Sequence, residues 1–373
     1  MSQVVVVRPD NNGDVLLAGP AIRAVAASSE RVTLWCGTRG RAAAGALPGV
    51  DAVLCEDLPW IDPAPAPVTV GFVDDVVARL RDLGCDRAIV FGSFHQSPLP
   101  TALLCRLAGI RFVGATSTDY PGSLLDVRHL IDDDVHEVVR SLSLAAACGY
   151  DLPPSDHGDL QVVRAAEPDL DADTLAARDA ARGAVVVHPG ASVPARTWQP
   201  ERFRSLTATL TATGYRVVVT GSPAERELTA TVAAGGDPAR TVDLGGRTSW
   251  TQLTEVLAAA QAIVVGNTGP AHLAAAVGTP VVSLHPPTVP AIRWRPWAVA
   301  HELLGDQDIS CAGCRARDCP FPGHPCLAEV TDTDVGSAIR RLTSSADDLV
   351  ASGSVPTVAG SGRTGARRQG GDR

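Results

Sequence analysis

Short apolar runs alternate with stretches in which apolar residues recur at helical spacing, and this alternation starts near the N-terminus. The apolar runs predict five strands in the first half of the chain, at 4–7, 32–36, 52–55, 87–91 and 110–113. The helical spacing predicts helices at 14–27, 74–83, 98–108 and 134–147. Strands that alternate with helices predict a parallel sheet with helices on both faces.

A second series of the same kind follows a break at 151–182, a segment rich in Asp, Ala and Pro that we interpret as an inter-domain connection. Strands are predicted at 184–187, 216–219, 241–244, 262–265 and 281–284, and helices at 200–213, 223–234, 250–260, 270–277 and 331–350. We therefore predict an α/β protein of two doubly wound, Rossmann-like domains, 1–165 and 183–350, facing each other across a cleft. Residues 351–373, rich in Gly, Ser, Thr and Arg, are predicted to be a disordered tail.

The composition is that of a globular protein, and it excludes some kinds of active site. The chain has 373 residues, of which 45% are hydrophobic and 20% charged, and this length favours two domains. The net charge is −9 and the sequence contains no lysine, which excludes a lysine Schiff base and a Walker A phosphate loop. No basic face stands out before the extreme C-terminus, so we expect no nucleic-acid partner.

The N-terminal residues predict no secretory signal, because they lead directly into a strand without a basic region or a cleavage site. No apolar run approaches the ~20 residues needed to span a bilayer. We therefore expect a cytoplasmic protein, with any membrane contact peripheral and at the inner face. Five of the nine cysteines are scattered singly and are expected to pack as small buried side chains: Cys36, Cys55, Cys85, Cys105 and Cys148.

The segment 266–272, with the sequence GNTGPAH, carries the strongest functional signal. It joins a predicted strand to a predicted helix, and such a turn directs free backbone N–H groups and the positive end of a helix dipole at one point. That arrangement suits a diphosphate. Thr268 adds a hydroxyl, Gly269 an N–H group and His272 a donor that can be charged, next to Asn267. The alternative is a turn that binds nothing.

Two more strand-to-helix turns in the second half could line the same nucleotide pocket. In the first of them, Gly190 and Ser192 offer free N–H groups, and Arg196 can reach a phosphate oxygen with its planar fork. In the second, Gly221 permits the turn, and Glu225 either accepts hydrogen bonds from a ribose or base or merely favours the start of the helix.

The first predicted strand ends in RPDNNGD at 8–14, where Arg8, Asn12 and Gly13 precede a carboxylate, Asp14, at the start of a helix. Asp14 is either a helix cap or a general base that takes a proton from an acceptor hydroxyl. Further candidates for the acceptor side of the cleft are Arg8, Asn12, Gly13, His95 and Arg128.

Four cysteines lie within sixteen residues near the end of the second domain: Cys311, Cys314, Cys319 and Cys326. They could hold a structural zinc ion, although their spacing is not the usual pair of CxxC motifs. The alternative is plain packing or redox chemistry. We expect no catalytic role for them.

Taken together in this order, five segments resemble glycosyltransferase family 9, the ADP-heptose:lipopolysaccharide heptosyltransferase family. They are the Gly13-Asp14 turn, the HPGA turn at 188–191, Arg196 two residues before Trp198, the GSPAE turn at 221–225 and the NTGPAHL segment at 267–273. The resemblance extends over about residues 3–345.

The resemblance implies a GT-B fold and an inverting transfer that needs no metal or other cofactor. The implied donor is a nucleotide sugar, with ADP favoured, bound by the second domain, and the implied acceptor is a cell-envelope glycan or glycolipid bound by the first. The family's catalytic carboxylate corresponds to Asp14, and its contacts to the donor phosphates correspond to Thr268, Gly269 and His272.

The chain departs from the family pattern at two positions. Arg196 stands where the family often has Lys, which keeps the charge but changes the shape. Asn267 stands where the family often has Asp, and an amide cannot offer an anion to a sugar hydroxyl. The transferred sugar is therefore expected to be heptose or a related sugar.

Two other functions fit the same fold. A nucleotide-sugar epimerase would need additional acid and base carboxylates in the cleft, and the sequence offers no convincing set. A non-catalytic protein that binds a sugar nucleotide is suggested by Asn267, whereas the retained Gly13-Asp14 turn argues against it.

Overall fold

Two parallel sheets, each built on a central run of buried valines, form the framework of the protein, for which a computed structural model describes residues 2–352. The first sheet contains β1 (Gln3–Val7), β2 (Arg31–Cys36), β3 (Ala52–Cys55), β4 (Arg87–Val90), β5 (Phe112–Thr116) and β6 (Val127–His129). The second contains β7 (Val185–His188), β8 (Val217–Val219), β9 (Thr241–Asp243), β10 (Ala262–Gly266), β11 (Val281–Leu284) and β12 (His301–Leu304). Continuous apolar runs such as VVVV in β1 form strands that are covered by helices on both faces.

Helices connect the strands and cover both sheets. They are α1 (Asn12–Ala26), α2 (Arg41–Ala44), α3 (Val70–Asp82), α4 (Leu99–Leu107), α5 (Glu137–Ala147), α6 (Ala172–Ala181), α7 (Pro200–Ala212), α8 (Arg226–Ala233), α9 (Trp250–Ala259), α10 (Gly269–Ala276), α11 (Ala291–Trp294), α12 (Pro325–Ala328) and α13 (Asp332–Ser352). Within the described range, no helix is long and apolar enough to cross a membrane.

Both sheets have the same strand order, and this order determines where a ligand can bind. The first sheet runs β3-β2-β1-β4-β5-β6, and the second runs β12-β11-β10-β7-β8-β9, which is the same order read from its other edge. The chain reverses its direction of winding between β1 and β4, and again between β7 and β10. At such a switch point the loops beyond the carboxyl ends of the two strands diverge and leave a crevice.

The two crevices face each other, because helices α1 and α10 meet at their N-terminal ends. A Cβ atom added to Gly13 would lie 3.1 Å from the Cα of Gly269 and 3.0 Å from the Cδ2 of His272. A side chain at position 13 would therefore press on both neighbours, and glycine lets the two helix ends approach this closely without strain. The contact brings the first turns of the two helices to the same side of one cleft.

The predicted α/β fold with two doubly wound sheets is confirmed, and the differences from prediction are local. The segment 151–182 is not a connection throughout, because its last part forms α6, which packs against α9. Asp171 caps this helix by accepting a hydrogen bond from the backbone N–H of Thr174, at 2.7 Å. Alanine favours helix even where the apolar pattern is weak, and here Ala181 is buried.

Two edge strands, β6 and β12, lie where no strand was predicted, since each is short and carries a charged or polar residue in place of an apolar run. Helix α5 begins at Glu137 rather than at 134, where the side chain of His136 accepts from the N–H of Val138. The domain limits 1–165 and 183–350 stay predictions. Apart from the last two residues of α13, the predicted tail at 351–373 lies outside the described residues.

Substituting Ala for Gly13 tests the close approach of α1 and α10. We expect Gly13→Ala to lower the free energy of unfolding by about 1–3 kcal/mol, the usual effect of overpacking a tight contact. Urea denaturation measures the change. Gly71→Ala is the matched control, because a Cβ at this exposed helical position meets only the Thr69 hydroxyl, at 4.0 Å, and should be neutral or slightly stabilising. A Gly13→Ala variant as stable as the wild type would show that the helix ends can separate at no cost.

Candidate active site

A cleft of about 400 Å³ lies at the two facing switch points. The loops after β1 and β4 form one wall. The turns after β7 and β10 form the opposite wall, and part of the cysteine-containing segment 309–326 belongs to this second wall. The polar and charged residues that line the cleft are Asp10, Asn11, Asp14, Arg39, Ser93, His95, Gln96, Ser192, Arg196, Asn267, Thr268, His272, Arg315 and Arg317. The topology thus brings together four loops that are far apart in the sequence.

One buried guanidinium organises the floor of the cleft. Arg8 follows β1 and is 1% exposed. Its Nε lies 3.0 Å from Oδ2 of Asp10, and its Nη2 donates to Oδ1 of Asp14 at 3.2 Å and to Oγ of Ser93 at 3.0 Å. Its Nη1 lies 3.5 Å from Oε2 of Glu137, on α5. Three carboxylates therefore surround one guanidinium, and Arg140 adds a second positive charge near Glu137.

This imbalance favours proton uptake by the carboxylates. Burial raises the pKa of Asp14 above its usual range; the attraction of Arg8 opposes this rise, and the negative charge of Glu137 adds to it. Burial likewise raises the pKa of Asp10 and of Glu137. A carboxylate with a raised pKa is a stronger base when ionised, which is the property a general base needs.

The position of Asp14 in α1 bears on whether its carboxylate caps the helix or can act as a general base. Asn11 occupies the N-cap position of the helix, so Asp14 lies in the first helical turn, and the carboxylate of Asp14 accepts from Arg8 rather than from the helix backbone. Its carboxylate is stabilised by the helix dipole and reaches the cleft, since Asp14 is one of the lining residues.

The opposite wall is the N-terminal end of α10. Thr268 occupies the N-cap position, yet its hydroxyl makes no cap hydrogen bond, and its buried Oγ1 has no partner among the described residues. His272 is 4% exposed, and its Nδ1 is also without a partner. Together with the backbone N–H of Gly269, these atoms form a set of free donors beside a helix N-terminus, which suits an anion.

The surroundings of His272 determine the charge of its imidazole in the protein without a ligand. Burial, together with the neighbouring His136 and His285, lowers the pKa of His272 to about 3. The imidazole is therefore neutral at physiological pH and offers one N–H donor rather than a positive charge.

Arg196 and Ser192 lie on the same wall, and Asn267 is buried next to Thr268. Arg196 ends a 3₁₀ turn, Pro194–Arg196, and its buried Nε has no hydrogen-bond partner among the described residues. Burial lowers its pKa, and the carboxylate of Asp14 opposes this from the other side of the cleft. Arg196 keeps its charge, because an arginine remains protonated in proteins.

Three predicted donor residues lie outside the cleft lining: Gly190, Gly221 and Glu225. Glu225 accepts a hydrogen bond from the N–H of Ser222 at 2.7 Å in a capping box, and its carboxylate packs on Gly190, where a Cβ would lie 2.1 Å from Oε1. The turn after β8 is on the far side of β7 from the switch point, which explains its distance from the cleft. Their role in donor binding stays a prediction.

Some of the acceptor-side candidates line the cleft, and others lie outside it. His95 and Gly13 line the cleft. Asn12 instead accepts a hydrogen bond from the N–H of Ala43 at 3.0 Å, and Arg128 donates to the carbonyl of Ser117 at 3.1 Å. These two side chains hold loops of the first sheet.

Several residues of the site were not predicted. Asp10 lies in the same RPDNNGD segment as Asp14, so a second carboxylate beyond the strand end was a usable signal. Gln96 fixes it by donating to Oδ1 of Asp10 at 2.5 Å. Glu137 is 129 residues from Arg8 in sequence and gave no local signal. Arg315 and Arg317 lie among the clustered cysteines, in a segment whose sequence carries no motif typical of a phosphate site.

The structural zinc proposed for the four cysteines is not supported. Across residues 2–352, no three His, Cys, Asp or Glu side chains are arranged to hold a metal ion. Cys326 is buried in the apolar core on α12, whereas Cys314 is exposed on the loop.

Glu137→Gln tests the excess of negative charge around Arg8. The folded protein holds the proton of Glu137 more tightly than the unfolded chain, whose pKa is near 4.5, so the wild type loses stability as the pH rises above that value. Glutamine cannot ionise, and the variant should unfold at a free energy higher by on the order of 1 kcal/mol at pH 8, with no gain below pH ~4. Urea denaturation at several pH values measures this.

Glu302→Gln is the control for that prediction. Arg341 donates to Glu302 and lowers its pKa, so removing this exposed carboxylate should have the opposite sign and cost at most ~1 kcal/mol at pH 8. A Glu137→Gln variant less stable than the wild type at pH 8 would mean that Arg8 stabilises the ionised Glu137.

Comparison with known proteins identifies the family. The model of glycosyltransferase family 9 (heptosyltransferase) matches residues 77–324. Lipopolysaccharide heptosyltransferase 1 of Pseudomonas aeruginosa is 33% identical over 190 residues, which are 50% of this chain and 49% of that protein. The chain thus spans about half the length of this curated relative.

Solved structures show the same fold. E. coli ADP-heptose LPS heptosyltransferase II superimposes with a TM-score of 0.71 at 21% identity, covering 92% of this chain and 99% of that one. The E. coli heptosyltransferase WaaC with ADP-2-deoxy-2-fluoro heptose gives a TM-score of 0.67 at 21% identity, covering 91% and 99%. The two sheets are therefore the two halves of a GT-B fold, and the chain belongs to glycosyltransferase family 9.

Proposed function

We propose that this protein is an inverting, metal-independent glycosyltransferase that moves heptose or a related sugar from an ADP-linked donor to a cell-envelope glycan or glycolipid. The observation that carries the proposal is that a half-buried carboxylate, Asp14, faces the free donors of the α10 turn across one cleft. A base on one wall and an anion site on the other are the two parts that such a transfer requires.

In this mechanism the acceptor hydroxyl attacks the anomeric carbon of the donor sugar from the face opposite the diphosphate. The new carbon–oxygen bond forms as the bond to the diphosphate oxygen breaks, and Asp14 takes the hydroxyl proton. The electron pair of the broken bond stays on the diphosphate. Its growing charge is stabilised by Thr268, the N–H of Gly269, His272 and Arg196.

A relative supports an ADP-linked donor. Two positions of this chain, Arg196 and Asn267, bear on how its phosphates and its sugar would be bound. WaaC, which has the same fold, was solved with an ADP-linked fluoro-heptose. The fork of Arg196 can contact two phosphate oxygens at once, which favours a diphosphate. Asn267 offers an amide rather than a carboxylate to the sugar, and for this reason we propose heptose or a close relative of it.

The acceptor is proposed from the family and from the first domain. The curated relative is named as acting on lipopolysaccharide. A glycolipid acceptor would bring a cytoplasmic enzyme to the inner face of the membrane as a peripheral protein. On the acceptor side of the cleft, Asp14 and His95 are the proposed contacts, with Gly13 leaving room for the hydroxyl.

A nucleotide-sugar epimerase is the second candidate, and Asp10 is the observation that favours it. This second carboxylate lies beside Asp14 on the same guanidinium and could supply the other member of an acid–base pair. An epimerase would return a sugar that is still linked to the nucleotide, whereas a transferase releases the nucleoside diphosphate. Analysis of the products of ADP-heptose therefore separates the two candidates.

Asp14→Asn tests the proposed base. With ADP-heptose as donor, release of ADP should fall by about 10²–10⁴-fold, because the amide cannot take the proton. Binding of ADP, measured by calorimetry, should be unchanged. Asp173→Asn, at an exposed position on α6, is the control and should leave both quantities as in the wild type. Equal turnover in Asp14→Asn and wild type would remove Asp14 from the mechanism.

A thermal-shift panel with ADP, UDP and GDP tests the donor class. A nucleotide present at ~100 times its dissociation constant should add ~2.7 kcal/mol of stability, and we expect this for ADP above the other two. Selective stabilisation by UDP or GDP would replace the ADP assignment. No response to any nucleotide would favour a protein that has lost the donor site.

A further inference from the structure

The segment 309–326, which contains the four clustered cysteines, is held against the donor wall of the cleft by backbone hydrogen bonds. The N–H of Ala195 donates to the carbonyl of Arg317 at 2.9 Å, which ties the segment to the turn that carries Arg196. The N–H of Arg315 donates to the carbonyl of Thr288 at 3.0 Å, which ties it to the loop after β11. The segment is therefore part of the wall rather than a loop at its edge.

The charges that line the cleft are divided between its two walls. The first sheet's loops contribute two carboxylates, Asp10 and Asp14, and one arginine, Arg39. The charged residues that line the cleft from residue 183 onward are all arginines: Arg196, Arg315 and Arg317. The donor wall is thus strongly positive where a diphosphate would bind.

The three arginines of this wall differ in what they contact. The guanidinium of Arg315 lies over the ring of Phe94, 4.7 Å from its centroid, and so contacts the first domain. Among the described residues, the guanidinium groups of Arg196, whose Nε is buried, and of Arg317, which is exposed, neither donate a hydrogen bond nor pair with a carboxylate. The bond from the N–H of Ala195 to the carbonyl of Arg317 places the two arginines in neighbouring positions on the wall, and the charge of Arg317 lowers the pKa of Arg196. Two neighbouring guanidiniums without a carboxylate between them are an arrangement that an anion would stabilise.

A separate observation points to a ligand at the same place. His272 is 4% exposed and lines the cleft, and its Nδ1 has no partner among the described residues. The buried Oγ1 of Thr268 is likewise without a partner. Buried polar atoms in proteins are nearly always hydrogen-bonded, so donors of this kind indicate an acceptor that binds from the cleft.

We infer that Arg317, together with Arg196, binds the diphosphate of the donor nucleotide, which makes the cysteine-containing segment 309–326 part of the donor site. This inference rests on the proposed function, because it assigns a further contact to the same donor. The two forks supply positive charge to the phosphate groups beside the α10 turn, on the same wall of the cleft. When the sugar leaves, the electron pair that stays on the diphosphate oxygen develops its charge between these groups.

The test compares a diphosphate ligand with a ligand that lacks it. Calorimetry on the full-length Arg317→Gln variant should show ADP binding weakened by about 10- to 100-fold, as for the loss of a charge-assisted hydrogen bond. Adenosine binding should be the same as in the wild type. Arg317→Lys keeps the charge without the fork and should give an intermediate value for ADP.

Arg340→Gln is the matched control, because it removes the same charge from an exposed position on α13 that is outside the cleft. It should leave ADP binding unchanged, and a thermal melt of each variant establishes that it is folded. Equal ADP affinity in Arg317→Gln and wild type, or an equal loss in Arg340→Gln, would overturn the inference while leaving the proposed function intact.

Inorganic pyrophosphate separates failure of the inference from failure of the proposed function. If the wild type binds pyrophosphate but none of ADP, UDP and GDP, the proposed donor is wrong, and weaker pyrophosphate binding by Arg317→Gln still supports the diphosphate site. If the wild type binds neither nucleotides nor pyrophosphate, both the inference and the proposed function are overturned.

Discussion

The contact between the first turns of α1 and α10 is the constraint on which the rest of the site depends. Gly13 lets the two helix ends meet with backbone against backbone, and this sets the width of the cleft at that point. Each helix begins at the switch point of its own sheet, so the contact aligns the two crevices. The contact thereby holds the carboxylate of Asp14, at the start of α1, opposite the proposed anion site at the start of α10.

The buried cluster around Arg8 illustrates what such a site costs in stability. One guanidinium is shared by Asp10, Asp14 and Glu137, and a charge excess of this kind would be avoided in an ordinary core. Arg8 keeps Asp14 in a fixed position, and the neighbouring negative charges keep its affinity for protons high. The same arrangement that opposes stability at neutral pH therefore suits the role of base proposed for Asp14, as is common where ionisable groups are gathered for chemistry.

On the donor wall, arginine alone supplies the positive charge. The chain contains no lysine, and the cations that face the proposed diphosphate are Arg196 and Arg317. Arg317 comes from the segment whose cysteines suggested a metal site, and the backbone bond from Ala195 fixes that segment beside Arg196. The role proposed for this segment is to bring Arg317 to the donor wall of the cleft.

The sequence by itself determined the fold class and predicted which strand ends carry candidate functional residues. Alternating apolar runs and helical spacing are local properties, and the turns at 8–14 and 266–272 carry their functional residues within a few positions. Only the tertiary structure decided which turns share the cleft, because strand order is a long-range property: the turn after β8 lies beyond β7, away from the switch point. The same holds for Glu137 and Arg317, since pairing across more than a hundred residues, or a charge placed by a loop's backbone bonds, leaves no periodic signal in the sequence.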